Sequence, residues 1–502
     1  MDDSLKKDFE AALALQQKNE LSVAIPLLQS LLTKAPKDGD ILHALGMAYA
    51  QSHDFHQALV YFKQAIENAP HVAEFHNNLA NVYKGLGQMP LAQRHYQEAL
   101  RLKSPYPQAH NNLGALLYKM GNYDEAIRHF QKAISMDPTS VDTHYNIANA
   151  YIQQDRFLDA KAHFDEVLKR RPEHLGAMHN LGITLCVLKA FPEAEPLLER
   201  VIEREPTNID ALYHLGVISS ALAKTETARD YFSRVLTIDP NHATSHHNLA
   251  TVYLHLDQRD LALKHFQSAL QLEPNNHTAT HMVAALQGKT LPEGAPVAFT
   301  RALFDQYAYS YDEHVKKQLN YQVPYHLRQA MAPFSGTRTT WNTLDLGCGS
   351  GLCAPLFADL STKMTGVDLS PNMIEVAKQQ SAYDALYCDD ALHFLSSSAP
   401  LTYDLVIAAD VFVYFGDLAA VIGACHRVLN EKGYFCFSIE TLSEGPDDYK
   451  LMLTGRYNHQ PAYVEKLLTE QHFTILHQAP ATLRTQEEIP VLGHIFTAQK
   501  NG

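Results

Sequence analysis

The stretch Leu344-Asp345-Leu346-Gly347-Cys348-Gly349-Ser350-Gly351-Leu352 decides the fold of the C-terminal part of the chain. An apolar run closes on three glycines at alternate positions, as expected where a strand turns sharply into a helix beside a bound ligand. Glycine is needed in such a turn because a Cβ atom would keep the backbone away from the ligand. The stretch therefore predicts a buried strand followed by a cofactor-binding turn.

Strand and helix patterns alternate around this turn, from about residue 299 to the end of the sequence. Apolar runs at 342–348, 364–369, 384–389, 403–409 and 433–440 are each followed by a helical stretch, and two further strands are predicted near 473–478 and 492–498. Alternating strands and helices of this length predict a parallel sheet that is covered by helices on both faces.

Acidic residues follow the predicted strands at the edge where a ligand would bind. Asp368 ends the second strand, where a carboxylate can accept hydrogen bonds from both hydroxyls of a ribose. Met373 opens the next helix, and its polarizable thioether could lie on an adenine ring. Asp390 follows the third strand, where an acid can accept the adenine amino group, and Asp410 follows the fourth.

A nicotinamide or flavin fingerprint would place glycine or alanine at position 352, where this chain has leucine. An acid two residues before the first glycine is instead typical of enzymes that use S-adenosyl-L-methionine (SAM). With the strand ends in this order, residues 299–502 resemble class I SAM-dependent methyltransferases, and in particular bacterial predicted methyltransferases that contain tetratricopeptide repeats. The resemblance implies a Rossmann-like α/β domain with a seven-stranded sheet, whose last strand inserts antiparallel.

The resemblance also implies the cofactor and its site. It assigns Asp345, Gly347, Gly349 and Gly351 to the methionine moiety of SAM, Asp368 to the ribose, and Asp390 with Met373 to the adenine; Ala391 is included in the same site. Candidates for a catalytic role at the acceptor are Asp410, Tyr414, His459 and Tyr307, with Tyr311 and Arg456 nearby. A histidine or tyrosine there could take a proton from the acceptor. No metal is expected, because alignment of nucleophile and methyl group can supply most of the barrier lowering.

A different pattern, with a period of 34 residues, fills the first 290 residues. Prolines recur in this frame at Pro36, Pro70, Pro138, Pro172, Pro206, Pro240 and Pro274. Each of eight units also has an alanine in its second helix (Ala24, Ala58, Ala92, Ala126, Ala160, Ala194, Ala228, Ala262) and a small residue in its first (Ala12, Gly46, Ala80, Gly114, Ala148, Gly182, Gly216, Ala250). The pattern resembles the tetratricopeptide repeat and predicts an α-solenoid of eight repeats, with residues 277–287 as a capping helix.

Pro292, Gly294 and Pro296 separate the two patterns. We therefore expect a repeat domain at 1–290, a linker at 291–298 and a methyltransferase domain at 299–502.

Asparagine recurs in register in the first helices of the repeats, at Asn78, Asn112, Asn146, Asn180 and Asn248. In tetratricopeptide proteins this register faces the concave groove, and a ladder of amides can pair with the backbone of an extended peptide. The ladder resembles that of the O-linked N-acetylglucosamine transferases, so a protein or peptide partner is predicted in the groove; alternatively, asparagine is only common at this position. Histidines recur at His76, His110, His144 and His246, too far apart to share a metal, and are interpreted as packing residues.

Composition limits the location and the partners of the chain. The formal net charge is −14, and acidic residues outnumber basic ones on both sides of residue 299, which disfavours nucleic acid as the main partner. The sequence has no apolar run long enough to span a membrane, no export signal and no CxxC pair. These features predict a cytoplasmic protein without membrane insertion.

The sequence thus predicts a SAM-dependent methyltransferase whose repeats recruit a protein substrate or partner. Ala409-Asp410-Val411-Phe412 stands where many enzymes that methylate base or glutamine amides have Asn-Pro-Pro-Tyr, which disfavours those acceptors. Two alternatives stay open: the enzyme acts on a small metabolite with the repeats as an adaptor, or the chain is a non-catalytic scaffold or assembly factor.

Overall fold

The computed structural model describes residues 3–289, 291, 294–307, 319–336, 340–380, 382–443, 445–486 and 489–502. Within these residues, contacts divide the chain into two compact units, residues 1–238 and 239–502. The last repeat and the capping helix thus group with the C-terminal domain. The division between the two units therefore comes before the linker that the sequence predicts at 291–298. Among the described residues, no helix is both long and apolar enough to cross a membrane.

The repeats are antiparallel helix pairs, each with one apolar face. In the first unit the helices are α1 (Asp3–Gln17), α2 (Leu21–Lys34), α3 (Gly39–Gln51), α4 (Phe55–Asn68), α5 (Ala73–Gly85), α6 (Met89–Leu102), α7 (Pro107–Lys119), α8 (Tyr123–Met136), α9 (Val141–Ile152), α10 (Phe157–Arg170), α11 (Leu175–Val187), α12 (Phe191–Arg204), α13 (Ile209–Ala221) and α14 (Thr225–Ile238). The second unit begins with α15 (Ala243–His255), α16 (Arg259–Leu272) and the capping helix α17 (His277–Leu286). Short polar residues begin several of these helices; Asp38, for example, accepts hydrogen bonds from two backbone N–H groups of α3.

Small residues hold the helices of each pair together. The eight alanines of the second helices are all fully buried. A Cβ atom on Gly216 would lie 2.6 Å from Cε1 of Phe232, and one on Gly114 would lie 2.7 Å from Cε1 of Phe130. These distances confirm that larger side chains at the small positions would force the paired helices apart.

The C-terminal domain alternates helices and strands. Its helices are α18 (Val297–Tyr307), α19 (Val323–Ser335), α20 (Ala354–Phe357), α21 (Pro371–Lys378), α22 (Ala391–Ser397), α23 (Ala419–Val428) and α24 (Pro461–Glu470). Its strands are β1 (Trp341–Leu346), β2 (Ser361–Asp368), β3 (Ala385–Cys388), β4 (Tyr403–Ala408), β5 (Leu429–Thr441), β6 (Tyr449–Leu451), β7 (Tyr457–His459), β8 (Phe473–Gln486) and β9 (Ile489–Lys500).

The strands form one mixed sheet. Its main order is β3-β2-β1-β4-β5, in parallel, and β9 then pairs antiparallel with both β5 and β8. This arrangement confirms the predicted seven-stranded sheet with an antiparallel last strand. The short strands β6 and β7 extend it beside the end of β5 and were not anticipated from the sequence.

Apolar side chains cover both faces of the sheet. One core joins Phe435 and Phe437 of β5 to α23 and α24, and the other packs α19 against Trp341 and Leu405. Because both faces are buried, the carboxyl edge of the parallel strands is where the domain offers a crevice to a ligand.

Candidate active site

A cavity of about 460 Å³ opens at the carboxyl edge of β1 to β4. Its wall is formed by Ala295, Val297, Thr300, Phe304, Gly347, Gly349, Val367, Asp368, Leu369, Asp389, Asp390, Ala391, Leu392, Ala409, Asp410, Val411, Tyr414, Phe415, Asp417, Ala420, Val421 and Arg456. The set includes five of the eight predicted cofactor residues and two of the four predicted catalytic ones.

The glycine turn after β1 has the backbone that the sequence predicts. Gly347, Gly349 and Gly351 have φ angles of +68°, +54° and +91°, in the region that favours glycine. A Cβ atom on Gly347 would lie 2.5 Å from Cγ2 of Val411, whereas one on Gly349 would meet no atom within 4 Å. The turn therefore presents open space to the cavity at Gly349 and close packing at Gly347.

Asp368, at the end of β2, is buried on the cavity wall. Its Oδ2 accepts a hydrogen bond from the backbone N–H of Gly349 and its Oδ1 one from that of Ser370, both at 2.8 Å. Burial raises the pKa of this carboxyl, and the two backbone N–H donors oppose that rise. Asp368 is thereby fixed in one orientation beside the glycine turn.

Asp390, after β3, caps helix α22. Its Oδ1 accepts hydrogen bonds from the backbone N–H groups of Leu392 and His393, both at 3.0 Å. Ala391 lies beside it on the wall. Met373 is fully buried and does not belong to the described cavity wall, so the predicted contact of its thioether with adenine is not supported; Leu369 lies on the wall instead.

Asp345 lies behind the glycine turn and not on the described cavity wall, although the resemblance to methyltransferases implies a contact with the methionine moiety. Its Oδ2 accepts a hydrogen bond from the Tyr383 hydroxyl at 2.6 Å, and its Oδ1 is buried with no hydrogen-bond partner among the described residues. Burial raises the pKa of Asp345 to about 7, with a smaller contribution from the nearby Asp368 carboxylate. Gly351, which is also not on the described wall, packs against Tyr383.

Asp410, just after β4, belongs to a buried cluster of four charged groups. Its Oδ2 accepts hydrogen bonds from Nη1 of Arg484 at 2.8 Å and from Nη1 of Arg456 at 3.3 Å. The same two guanidinium groups donate to Oε1 of Glu440, at 2.5 and 3.1 Å. Asp410 has a φ angle of +59°, and its backbone N–H donates to Oγ of Ser438 at 2.9 Å. The cluster holds Asp410 in a strained backbone conformation at the cavity wall.

Within this cluster, Arg456 and Asp410 lie on the wall, while Glu440 and Arg484 support them from behind. Sequence reasoning missed Glu440 and Arg484 because they come from different strands, 44 residues apart, with no motif linking them. The available signal for Glu440 was a charged residue in the buried stretch of β5 from Phe435 to Glu440.

Tyr414 presents a buried hydroxyl at the same end of the cavity. The hydroxyl oxygen has no hydrogen-bond partner in the part of the chain that the structure describes, and neither does Oδ1 of Asp410. The guanidinium carbon of Arg456 lies 5.6 Å from the centre of the Tyr414 ring. Burial raises the pKa of the Tyr414 hydroxyl. Two polar atoms at this end are thus buried and available to a ligand.

His459 is fully buried on β7 and lies outside the described wall. Its Nε2 donates to the backbone carbonyl of Gly416 at 2.9 Å, and burial lowers the pKa of the ring to about 4. This placement contradicts the predicted proton-transfer role, because the ring supports the Tyr414–Asp417 segment from behind. The side chain of Tyr307 and the whole of Tyr311 lie outside the described residues.

The segment after the capping helix forms part of the cavity wall through Ala295, Val297, Thr300 and Phe304. The backbone N–H of Ala295 donates to the carbonyl of Tyr414 at 2.8 Å. Ala295 and Val297 belong to the predicted linker 291–298, and their place on the wall was missed because neither residue type signals a ligand; Thr300 and Phe304 belong to the predicted methyltransferase domain.

The asparagine ladder is largely hydrogen-bonded within the repeats. Nδ2 of Asn112 donates to Oδ1 of Asn77 at 3.0 Å, and Nδ2 of Asn146 donates to Oδ1 of Asn111 at 3.1 Å. Asn78 contacts His43 at 2.8 Å, and Asn180 contacts Asn149 at 2.7 Å and Tyr145 at 3.3 Å. In each case the contact is with the preceding repeat. Asn248 lies half-buried on α15 in the same register.

The recurrent histidines form pairs that the sequence analysis did not identify. The Nδ1···Nδ1 distances are 3.1 Å for His76–His95, 2.9 Å for His110–His129, 2.9 Å for His144–His163 and 2.8 Å for His246–His265. Nε2 of His76 contacts the carbonyl oxygen of Pro70 at 3.1 Å, so this nitrogen carries the proton and Nδ1 accepts from His95. The pairs are packing residues, as predicted, with a specific hydrogen bond in addition.

Comparison with known families finds a different kind of family in each part of the chain. Residues 344–437 match a methyltransferase domain family. Residues 9–72, 43–92, 107–140, 145–209, 209–242 and 243–276 match tetratricopeptide repeat families.

The curated relatives include methyltransferases that match about a quarter of this chain. The ubiquinone biosynthesis O-methyltransferase of Paracidovorax citrulli is 28% identical over 129 residues, covering 25% of this chain and 52% of that protein. The enzyme of the same name from Nitrosomonas europaea is 30% identical over 115 residues, covering 22% and 48%. This chain therefore spans about half the length of these relatives.

Solved structures similar to this chain include YrrB, described as a tetratricopeptide-repeat protein with an unusual peptide-binding site, and pilF of Pseudomonas aeruginosa. YrrB is 23% identical with a TM-score of 0.35, covering 37% of this chain and 96% of its own. For pilF the identity is 21% and the TM-score 0.38, covering 44% and 96%. From its repeat matches, its domain match and its sheet order, this chain is a tetratricopeptide-repeat protein that carries a class I methyltransferase domain.

Proposed function

We propose that this chain is a SAM-dependent methyltransferase and that the cavity at the carboxyl edge of the sheet takes SAM. The observation that carries the proposal is that four consecutive strand ends contribute to one wall, through Gly349, Asp368, Asp390 and Asp410. A volume of about 460 Å³ lies in the usual range of cofactor sites.

The residues at this wall suit the parts of SAM. Asp368 keeps acceptor lone pairs for the two ribose hydroxyls, because each of its oxygens uses one backbone donor. Both capping bonds of Asp390 use Oδ1, so Oδ2 can accept from the adenine amino group, with Ala391 and Leu369 against the ring. The glycine turn would receive the methionine end, at Gly349, where a Cβ atom would meet no atom within 4 Å.

Asp410 and Tyr414 would act on the acceptor. When bound, SAM supplies an electrophilic methyl group on a positively charged sulfur. Asp410 Oδ1 would accept a hydrogen bond from the O–H or N–H group of the acceptor. The Tyr414 hydroxyl would fix the direction of the lone pair on that acceptor atom. Arg456 and Arg484 hold Asp410 still, so the nucleophile would be kept in one orientation at this end of the cavity, as efficient transfer requires. The acceptor loses its proton to Asp410 or to water as the new bond forms.

The repeats would recruit a protein partner or protein substrate. Because Nδ2 of each ladder residue from Asn78 to Asn180 contacts the preceding repeat, the amides are held in one orientation. A peptide in the groove would then donate its backbone N–H groups to Oδ1 atoms along the ladder.

A small-metabolite acceptor is the second candidate. It is favoured by the curated relatives, whose name places them in ubiquinone biosynthesis as O-methyltransferases. In that case the repeats would act as an adaptor and the methylated atom would be an oxygen.

Calorimetry with S-adenosylhomocysteine tests the cofactor, and we expect one molecule bound per chain. Radioactive SAM and the purified protein, added to a lysate that lacks this protein, test the acceptor. Label that protease releases supports a protein acceptor, and protease-resistant label of low mass supports the metabolite. If the protein shows neither binding nor labelling, the non-catalytic scaffold is the remaining function.

A further inference from the structure

We propose that His281, in the capping helix of the repeats, is a positioning residue that holds the cavity arginine Arg456 in place. The inference rests on the proposed function only in naming the cavity as the active site. All of the residues involved lie in the second compact unit, residues 239–502.

His281 contacts the catalytic domain through a single directed hydrogen bond. Its ring is fully buried, and Nε2 lies 2.8 Å from the backbone carbonyl oxygen of Gly455. Because a carbonyl oxygen only accepts, Nε2 carries the proton. The other nitrogen, Nδ1, is buried with no hydrogen-bond partner within the described ranges. An apolar side chain at this position would avoid the cost of burying an unsatisfied nitrogen. The contribution of the histidine is therefore its hydrogen bond to Gly455.

The carbonyl that His281 holds belongs to the turn that carries Arg456. Gly455 has a φ angle of +74°, so the turn reverses sharply between β6 and β7. The next residue, Arg456, reaches the cavity wall and pairs with Asp410 and Glu440. Its bonds to these carboxylates, 3.3 and 3.1 Å, are longer than those of Arg484. The position of Arg456 therefore depends more on its backbone than that of Arg484 does.

Further contacts join the same two parts of the unit. The rings of Phe299 and Tyr457 lie 4.8 and 6.2 Å from the His281 ring. The Tyr457 hydroxyl donates to the carbonyl of Leu291 at 2.9 Å. Ala284 and Ala285 of the capping helix pack against Leu451 and Tyr457. These contacts fix the capping helix on the β6–β7 hairpin, so the end of the repeat array sets the geometry of the cavity at Arg456.

The test compares three variants of the full-length chain. His281→Phe keeps a ring but removes the donor, and His281→Gln restores an N–H at nearly the same reach. His277→Phe is the matched control, because His277 is exposed on the same helix. Phenylglyoxal labels arginine side chains, and mass spectrometry gives the labelling rate of Arg456 relative to the exposed Arg204, whose side chain is 71% accessible.

We expect His281→Phe to raise the relative labelling of Arg456 at least fivefold, while His281→Gln and His277→Phe stay within twofold of the parent protein. The affinity for S-adenosylhomocysteine should change by less than twofold in all three, since the cofactor end of the cavity is untouched. Unchanged labelling in His281→Phe would overturn the proposal, as would equal labelling in the Phe and Gln variants. If the parent protein fails to bind S-adenosylhomocysteine, the proposed function fails while the labelling result still decides the role of His281.

Discussion

The recurring polar pairs of the repeats and the polar groups at the cavity of the methyltransferase domain differ in their partners. In the repeats, asparagines and histidines that recur in register bond to one another, as Asn112 does to Asn77 and His110 to His129. At the cavity of the catalytic domain, Asp410 Oδ1 and the Tyr414 hydroxyl are buried without a hydrogen-bond partner among the described residues. Recurrence in a sequence is therefore a weaker sign of a binding site than a polar atom that its own fold leaves unsatisfied.

The largest effect is expected at the charge cluster of the catalytic domain. Arg484→Leu leaves Asp410 and Glu440 with a single, more distant guanidinium, and removing one partner from a buried ion pair costs about 3–5 kcal/mol. Trp341, the only tryptophan, lies in β1, so its fluorescence reports urea unfolding of this domain. Lys378→Leu removes an exposed ion pair and should cost under about 1 kcal/mol. Equal losses in the two variants would show that the cluster is not stabilising.

Binding of the cofactor should depend on the residue beside the glycine turn. Asp368→Ala removes a hydrogen-bonding carboxylate, and we expect S-adenosylhomocysteine binding to weaken by about 1.5–3 kcal/mol. Calorimetry measures this change directly. Asp359→Ala, an exposed aspartate nine positions away in sequence, is the control and should bind as the parent protein does. If Asp368→Ala binds S-adenosylhomocysteine with unaltered affinity, the proposal that Asp368 binds the ribose is wrong.

Overpacking should destabilise the repeats and leave the catalytic domain unchanged. In Gly216→Ala the new Cβ would lie 2.6 Å from Phe232, and we expect a loss of about 1–3 kcal/mol. In Gly85→Ala the nearest side-chain atom would be 3.3 Å away, so its loss should be smaller. Circular dichroism at 222 nm follows the helices of the array, and Trp341 fluorescence follows the sheet. A shift of both signals together would contradict independent responses of the two regions.

Acid should weaken the repeats through their histidine pairs. Burial chiefly lowers the pKa of His95 and His110 to about 4, below the value of about 6.5 in an unfolded chain. As the pH falls from 6.5 towards 4, the unfolded chain binds protons first, so stability that is fully present above pH 6.5 is progressively lost. After discounting for the exposed part of each ring, we expect a loss of about 1 kcal/mol per pair between pH 7 and pH 5, measured by urea unfolding.

The chain supplies its own control for this pH dependence. The corresponding positions of other repeats hold Leu42 with Tyr61 and Leu212 with Tyr231. The double variant His110→Leu/His129→Tyr copies that arrangement and should lose less stability at pH 5 than the parent protein. An unchanged pH dependence would mean that other groups cause the acid sensitivity.

Periodic packing and strand order could be predicted from the sequence, because both follow from residues that recur at fixed spacing. The 34-residue frame located the buried alanines, and the acids after each strand located Asp368, Asp390 and Asp410 on one edge. Contacts between distant segments could not be predicted. Arg484 reaches Asp410 across 74 residues, and His281 reaches Gly455 across 174, with no motif joining either pair. The same limit explains why His459 was assigned to the acceptor although it faces Gly416.

The smallest expected effect distinguishes an internal ladder from a peptide-binding one. Asn77 and Asn112 share one hydrogen bond between neighbouring repeats, but Asn77 is buried and Asn112 is only half-buried. Asn112→Ala should cost about 0.5–1.5 kcal/mol of stability through the lost bond. Asn77→Ala should cost more, because Nδ2 of Asn77 also donates to Oδ1 of Asn78 at 3.0 Å. If the groove holds a partner, only Asn112→Ala also removes an amide that the partner can reach.

The measurement is the protease-sensitive methyl label transferred in a lysate, at equal and verified folding. We expect a severalfold loss of label for Asn112→Ala and none for Asn77→Ala, because only the first removes an oxygen from the groove. Equal labelling by both variants would show that the ladder only stabilises the repeats. The proposal that it binds a protein acceptor would then be wrong.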